Sequence, residues 1–422
     1  MKKLELLAPA GNFLKMQTAY AYGADAVYLG IPDFSLRVRI NDFDLAGIKK
    51  AVKEAHDKKK KVYVTINIFA HNKHLKKLPA YIKELKAMKV DALIISDPGI
   101  IALVQKNWKT AEIHLSTQAN CTNLEAVKFW AKQGLKRIIL GREVTLSEIK
   151  EIHQAVPKIE LEYFVHGAMC MAYSGRCFLS KMILNRSGNL GDCAQPCRWD
   201  YDLKEYNLKT GNHEEELELV EERHGTYLLN SRDLCLLNYL KDLAAAGVTS
   251  FKIEGRAKSV YYQATVCGIY SHALKLINSK IATPKLKKEL AYLFSELDTK
   301  LVHRGYSVGF LLGGRGEQNI SNSHEPSPWE FCGQVVKTEK NKVFFKVHNT
   351  IKVNEEIELI RPNYDIIKIT PTILYDAQSG EEMTEAHGGG GSQIAYFEVS
   401  KEIGAIPDLS VLRRKINVVL KK

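Results

Sequence analysis

One repeated unit constrains this chain more than any other feature: a short apolar run followed by a segment with helical spacing, recurring from the first residues to about residue 280. The runs are Leu4–Leu7, Ala26–Leu29, Val62–Ile66, Ala92–Ile95, Ile113–Leu115, Arg137–Leu140 and Leu161–Val165. They are short and often β-branched, as strands buried on both faces are. Between them lie segments such as residues 44–61 and 75–89, whose apolar residues recur every three or four positions. Gly23, Gly134 and Gly247 stand where a helix should end before the next strand begins. A late unit repeats the pattern, with Leu240–Ala246 as helix, Ser250–Ile253 as strand and Tyr261–Ile277 as helix. Seven early strands and this one make eight, which predicts an α/β fold of the (β/α)8 TIM-like barrel type. An open doubly wound sheet has similar local patterns and stays the alternative. The strand-like run Tyr227–Leu229 does not fit the count and is assigned to a segment inserted after the seventh strand.

The rest of the 422 residues divides by composition. A cysteine-rich insertion at 170–225 interrupts the barrel of residues 1–280 and ends in the acidic run at 214–223. Residues 281–330 read as a helical and loop linker, with a helix near 284–298 and a proline-containing stretch before Trp329. From 331 to 412 the pattern alternates with period two between turns, which predicts a small antiparallel β-domain, barrel-like in form. The closing VLRRKINVVLKK reads as a basic helix or arm, with 413–422 as a basic tail.

Apolar residues at 45% and charged residues at 26% exclude a disordered or collagen-like chain. The longest apolar stretch, Ala92–Val104, is broken by Asp97 and Pro98, so no membrane span is expected. The opening MKKLELLAPAGNF is interrupted by Glu5 and Pro9 and does not read as a signal peptide; the expectation is a cytoplasmic protein. Lys and Arg exceed Asp and Glu by 60 − 48 = 12. That excess suits a polyanionic partner such as RNA, and a generally lysine-rich composition explains it equally well.

In a parallel barrel the chemistry sits just past the carboxyl ends of the strands. Those positions hold Pro9, Gly11, Gly30, Asn67, Asp97, Gln118, Asn120, Arg142, Glu143, His166, Gly167, Glu254, Gly255 and Arg256. Acid, base, amide and guanidinium groups on one rim suit an anionic small molecule or an extruded base, although several such residues only cap helices in any barrel. Of the eight cysteines, Cys170, Cys177, Cys193, Cys197 and Cys235 are clustered, which points to metal rather than disulfides in a cytoplasmic chain. Their spacing is Cys-x6-Cys, fifteen residues, Cys-x3-Cys, then thirty-seven residues to Cys235. Zinc sites pair close ligands at both ends; here one pair is close, and Pro196 forbids a helical arrangement within it. Separated thiolates suit an iron–sulfur cluster, with structural zinc left open. Cys121, Cys267 and Cys332 read as buried thiols. No Gly-x-Ser-x-Gly elbow, two-histidine zinc motif or phosphate loop is present.

The stretch around these cysteines resembles the collagenase-like peptidase family of unassigned catalytic type. Its signature is met by Glu162, Phe164, Gly167, Ala168, Cys170, Gly175, Cys177 and Ser180, and LLAPAGN, LNSRDLC and FKIEGR also agree. The resemblance implies an RNA-modifying hydroxylase forming 5-hydroxyuridine at the tRNA wobble position, dependent on prephenate and a 4Fe-4S cluster. It also implies cluster ligands Cys170, Cys177, Cys193 and Cys235, with Cys197 as the alternative to the last. On that footing His166 and Glu254 are the acid/base candidates, and Arg232 and Arg256 would clamp a small carboxylate metabolite. Asn67, Gln118 and Arg142 would contact substrate, while the β-domain and Arg413, Arg414 and Lys415 would hold tRNA phosphates. The rival readings are a peptidase and a non-catalytic iron–sulfur RNA-binding protein.

Overall fold

Alternating β-branched runs and capped amphipathic helices build the first domain of the computed structural model. It describes residues 3–36, 42–170, 172, 177, 179–199, 230–279, 281–314, 316–319, 322–389 and 393–416. Tyr227–Leu229, the acidic run, Gly175 and residues 417–422 lie outside the described residues. The strands are β1 (Glu5–Pro9), β2 (Ala26–Gly30), β3 (Lys61–Ile66), β4 (Ala92–Ile95), β5 (Ile113–Leu115), β6 (Arg137–Ile139), β7 (Glu160–Gly167), β8 (Asp233–Cys235) and β9 (Val248–Ile253). β1 to β7 pair in parallel in chain order, and β9 pairs in parallel with both β1 and β7, closing an eight-stranded barrel. The closed TIM-like barrel is therefore established over the open sheet.

Asn12, Asp44, Asp97, Asn123, Thr145 and Ser259 each cap a following helix by accepting a backbone N–H. Asp97, one of the rim candidates, serves in this way on helix Pro98–Asn107. Gly23 and Gly247 end their helices with φ of 98° and 106°, where a side chain would be strained. The lower lumen is charged rather than apolar. Arg137 donates to Glu5 at 2.5 Å and Glu160 at 2.8 Å, and lies 3.3 Å from Glu162.

β8 is the strand that sequence reasoning did not anticipate. It runs antiparallel to the end of β7, with Cys235 opposite His166, and β10 (Tyr306–Ser307) pairs on its outer side. The stretch taken as a linker is part of the core: helix Thr283–Lys300 buries Leu286, Leu290, Leu293 and Leu297 against the barrel.

The C-terminal domain begins at β11 (Trp329–Glu339) and β12 (Lys342–Val347). Its eight-stranded sheet is antiparallel, with Asp365–Ile369 at one edge and Glu382–Met383 at the other. Among the described residues no pairing joins those edges, so the sheet wraps its own core, including Val343, Phe345, Leu359 and Phe397, without closing.

The expected basic arm is corrected: Val411–Lys415 is a strand between β11 and Ile357–Arg361. Arg413 is fully buried, paired with Glu296 at 2.5 Å and Glu358 at 2.6 Å. Arg414 pairs with Glu330 and Glu355, so neither arginine is available to phosphate as expected. Tyr22 Oη donates to Ile360 O, and Gln334 donates to Thr18, joining the two domains. Among the described residues no helix is long and apolar enough to cross a membrane.

Candidate active site

Strands β2 to β7 and β9 surround one cavity at their carboxyl ends, and residues following Gly167 roof it. Its floor is Lys252. Alternate residues of a strand share a face, so Ser250, Lys252 and Glu254 all turn into the barrel. Lys252 Nζ donates to Glu162 Oε1 at 2.7 Å and lies 4.5 Å from the Tyr28 ring. Burial pushes its ammonium below its ordinary value, opposed by Glu162.

The wall carries an amide pair and an ion pair. Asn67 Nδ2 donates to Gln118 Oε1 at 2.8 Å, Ser116 Oγ donates to the same oxygen at 3.0 Å, and the Leu36 N–H donates to Asn67 Oδ1. Arg142 donates to Glu254 and stacks 3.8 Å above the Phe164 ring. The buried Nε of Arg142 has no partner among the described residues. Arg256 donates to Ser35 Oγ at 2.8 Å and to the carbonyl of Leu36, bracing the loop after β2 as well as lining the cavity. Gly167 has φ 111°, and a Cβ there would stand 2.6 Å from the Glu254 carbonyl, so only glycine lets β7 pass this close to the end of β9.

The roof holds the thiols. Cys170, Cys177, Cys193 and Cys197 all line the cavity. Cys177 N–H donates to Asn189 Oδ1, whose residue also accepts at its backbone carbonyl from Phe69 N–H, tying the roof to the loop after β3. Ser180 Oγ accepts from the Ala194 N–H, and the Gln195 N–H points to Cys193 Sγ at 3.4 Å. The Cys197 thiol is raised by burial, lowered by Arg198, and raised again by Cys170, Cys193 and Cys177. Among the described residues no three Cys, His, Asp or Glu side chains gather around a point where one ion would sit. The four thiols share the cavity lining, and Cys170, Cys193 and Cys177 each act on the Cys197 thiol.

Asn67, Gln118, Arg142, Glu254 and Arg256 reach the cavity with Cys170, Cys177 and Cys193. Cys235 does not: it is buried, with Sγ 3.6 Å from Tyr270 Oη, and burial raises its thiol to about 11. His166 does not either. It packs among Tyr262, Tyr270 and Tyr306, and burial lowers its imidazole to about 3. Arg232 pairs with Glu317 at 3.3 Å away from the cavity. Cys121, Cys267 and Cys332 are buried as expected. Sequence reasoning missed Lys252, Arg198, Gln195, Thr65 and Ser116. The signal for Lys252 was its parity with Glu254 in FKIEGR.

A closed parallel barrel whose mouth gathers thiols, amides and cations under an inserted roof, followed by an antiparallel domain, defines a class of (β/α)8-barrel protein with a cysteine-lined cavity. Residues 11–321 match Peptidase family U32 and residues 327–406 the Peptidase family U32 C-terminal domain. The chain belongs to peptidase family U32. It is 40% identical to a protein named tRNA hydroxylation protein P of Haemophilus influenzae, over 86% of this chain and 87% of that one. It is 35% identical to the 23S rRNA 5-hydroxycytidine C2501 synthase of Escherichia coli, over 80% of this chain and 50% of that one. A protein named collagenase from Porphyromonas gingivalis is 32% identical, over 90% of this chain and 92% of that one.

Proposed function

We propose that the protein is an RNA-modifying hydroxylase that converts the wobble uridine of tRNA to 5-hydroxyuridine, with a 4Fe-4S cluster in the roof and prephenate as co-substrate. The observation that carries this reading is the convergence of four cysteine thiols on a cavity walled by amides and cations. Relatives named for tRNA and rRNA hydroxylation support the RNA substrate.

The donor set fits such a cluster. A single tetrahedral zinc at about 2.3 Å from each sulfur needs thiolates within about 4 Å of one another. Four thiols that share one cavity lining without gathering at a single ion position among the described residues instead suit separate corners of a four-iron cube. Cys170, Cys177, Cys193 and Cys197 would hold it, with Cys197 rather than Cys235 as the fourth ligand. When bound, such a cluster supplies one-electron chemistry.

The chain's own residues do the rest. An anticodon base is already partly unstacked, so its entry costs only about a few kcal/mol. The Asn67–Gln118 pair presents amide groups to the edge of the base. Lys252 and the unspent Nε of Arg142 offer donors to a small carboxylate, the role expected of Arg232. Glu254 is the one carboxylate in the described cavity lining and serves as the base, oriented by Arg142.

Nucleoside mass spectrometry of tRNA tests this reading in a strain lacking the protein, complemented by the wild type or by Cys170→Ala. The variant is expected to lose both the brown iron–sulfur absorption and 5-hydroxyuridine; an unaltered nucleoside profile overturns the reading. The collagenase-named relative favours a peptidase as the second reading. No histidine stands among the described cavity residues to activate a nucleophile. Cleavage of collagen peptides by purified protein, lost on Glu254→Ala, would establish that reading instead.

A further inference from the structure

Arg413 and Arg414, the arginines expected to hold phosphate, are spent on carboxylates within the protein, so an RNA chain must find its cations elsewhere. One stretch of the barrel mouth supplies them. Between Asp57 and Glu84 the chain has no carboxylate, and the part of this interval that follows β3, residues 67–77, holds His71, Lys73, His74, Lys76 and Lys77. The stretch starts at the cavity: Asn67 lines it, and the Phe69 N–H donates to Asn189 O in the roof. His74 stands edge-on to Phe34, with ring centroids 6.5 Å apart, on the loop after β2 that carries the cavity residue Leu36. Residues 71–77 are thereby fixed on the rim beside the opening.

Helical backbone runs from Asn72–Leu75 through Lys76 and Lys77 into helix Leu78–Met88, which sets Lys76 and Lys77 three and four positions beyond Lys73, on one side. All three lysines are exposed. Lys77 reaches Asp33 at 3.5 Å, and among the described residues neither Lys73 nor Lys76 has an ion-pair partner. Elsewhere a neighbouring carboxylate takes up such a charge, as Glu54 does for Lys58 at 2.7 Å, Glu125 for Lys128 at 2.6 Å and Glu356 for Lys368 at 2.8 Å. Cations three and four apart without that relief repel one another, so the cluster contributes nothing to folding. Its field is felt locally: burial pushes the His74 imidazole down, and Lys73, His71 and Lys77 push it further against Asp33. A polyanion relieves the repulsion and releases its own counterions, and mobile ammonium groups suit phosphates that are positioned rather than read.

We propose that residues 71–77 are the backbone-binding edge of the site, where Lys73 and Lys76 hold phosphates of the RNA strand whose base enters the cavity. It rests on the reading that the substrate is RNA and gives that strand a path over the β3 side of the mouth.

The test is the affinity of the full-length protein for unmodified tRNA across a salt series, with circular dichroism melts to verify folding. Lys73→Gln/Lys76→Gln is expected to bind on the order of ten-fold more weakly at physiological salt. Its slope of log affinity against log salt should be shallower by about 2, one for each lost phosphate contact. Lys73→Arg/Lys76→Arg keeps both charges and is expected to bind as the wild type does. Lys106→Gln/Lys109→Gln removes the same charge from the opposite end of the barrel, where helix Pro98–Asn107 finishes, and should leave affinity and slope unchanged. Unchanged affinity and slope in the folded Lys73→Gln/Lys76→Gln variant, or an equal loss from Lys106→Gln/Lys109→Gln, overturns the rim assignment and leaves the cavity reading standing. A wild-type protein that binds no tRNA overturns both.

Discussion

Burial lowers the His166 imidazole to about 3, so the folded protein keeps it neutral among Tyr262, Tyr270 and Tyr306. An unfolded chain protonates the same ring near its ordinary value of about 6.5. Between these values the unfolded state binds the extra proton, so stability falls as pH drops, by at most about 1.4 kcal/mol per pH unit from this group. His166→Phe gives up only a 3.3 Å contact to Tyr270 Oη and removes the titration. Thermal melts at pH 7 and pH 5 are expected to show the variant losing about 2 kcal/mol less than the wild type on acidification. A second residue-level prediction separates the two candidate ligands. Cys197→Ser should lower iron content and visible absorption, while Cys235→Ser, at a thiol lying against Tyr270, should retain both. Spacing along the chain led to the expectation that thiols share one site, and Cys170, Cys177 and Cys193 all line the cavity. The expected fourth ligand was Cys235 ahead of Cys197, and spacing does not reveal the pairing of β8 with β7 that buries Cys235 against Tyr270. Lys252 escaped notice for a related reason: a lysine is ordinarily a surface residue, and its partner Glu162 lies ninety positions away.

At the scale of elements, the end of β7 is the junction on which the mouth depends. Gly167→Ala would place a Cβ 2.6 Å from the Glu254 carbonyl at a φ of 111°. The expected cost is about 1–3 kcal/mol in denaturant unfolding, with a lower product yield in the nucleoside assay of the proposed reaction because Glu254 must move. Next to it, burial alone would raise the Asp233 carboxyl, but Arg304 at 2.5 Å overcomes this and holds it below the usual range. That stability is present above the ordinary carboxylate range and lost as pH falls through the lowered value, so Asp233→Asn should flatten unfolding profiles below about pH 4. All eight barrel strands were legible in the sequence because each is a brief apolar run between helices with recognisable ends. β8 was not, since Asp233–Cys235 stands outside the strand–helix alternation and owes its existence to pairing with β7 and β10.

Across the whole molecule the domains are locked by charge as much as by apolar contact. Arg413 and Lys300 share Glu296 and Glu358, and Tyr364 Oη donates to Glu296 at 2.9 Å. Arg413→Ala is expected to cost about 3–5 kcal/mol in equilibrium denaturation, the toll of stranding buried carboxylates. The sequence disguised this strand as a basic tail because arginines surrounding an apolar stretch normally mark a solvated arm, and the carboxylates that neutralise Arg413 come from positions 296 and 358. Truncation before β11 would remove Glu358 along with Arg413 and leave Glu296 with Lys300 alone of that cluster. The antiparallel partnership of β7 and β8 reaches furthest. His166 and Cys235 stand opposite each other, so the polypeptide departs from the cylinder and rejoins it at one spot. Whatever runs between those anchors can lengthen, shorten or be exchanged in evolution while the staves beneath keep their order, which makes the site a socket for swapping reactivity on a constant frame.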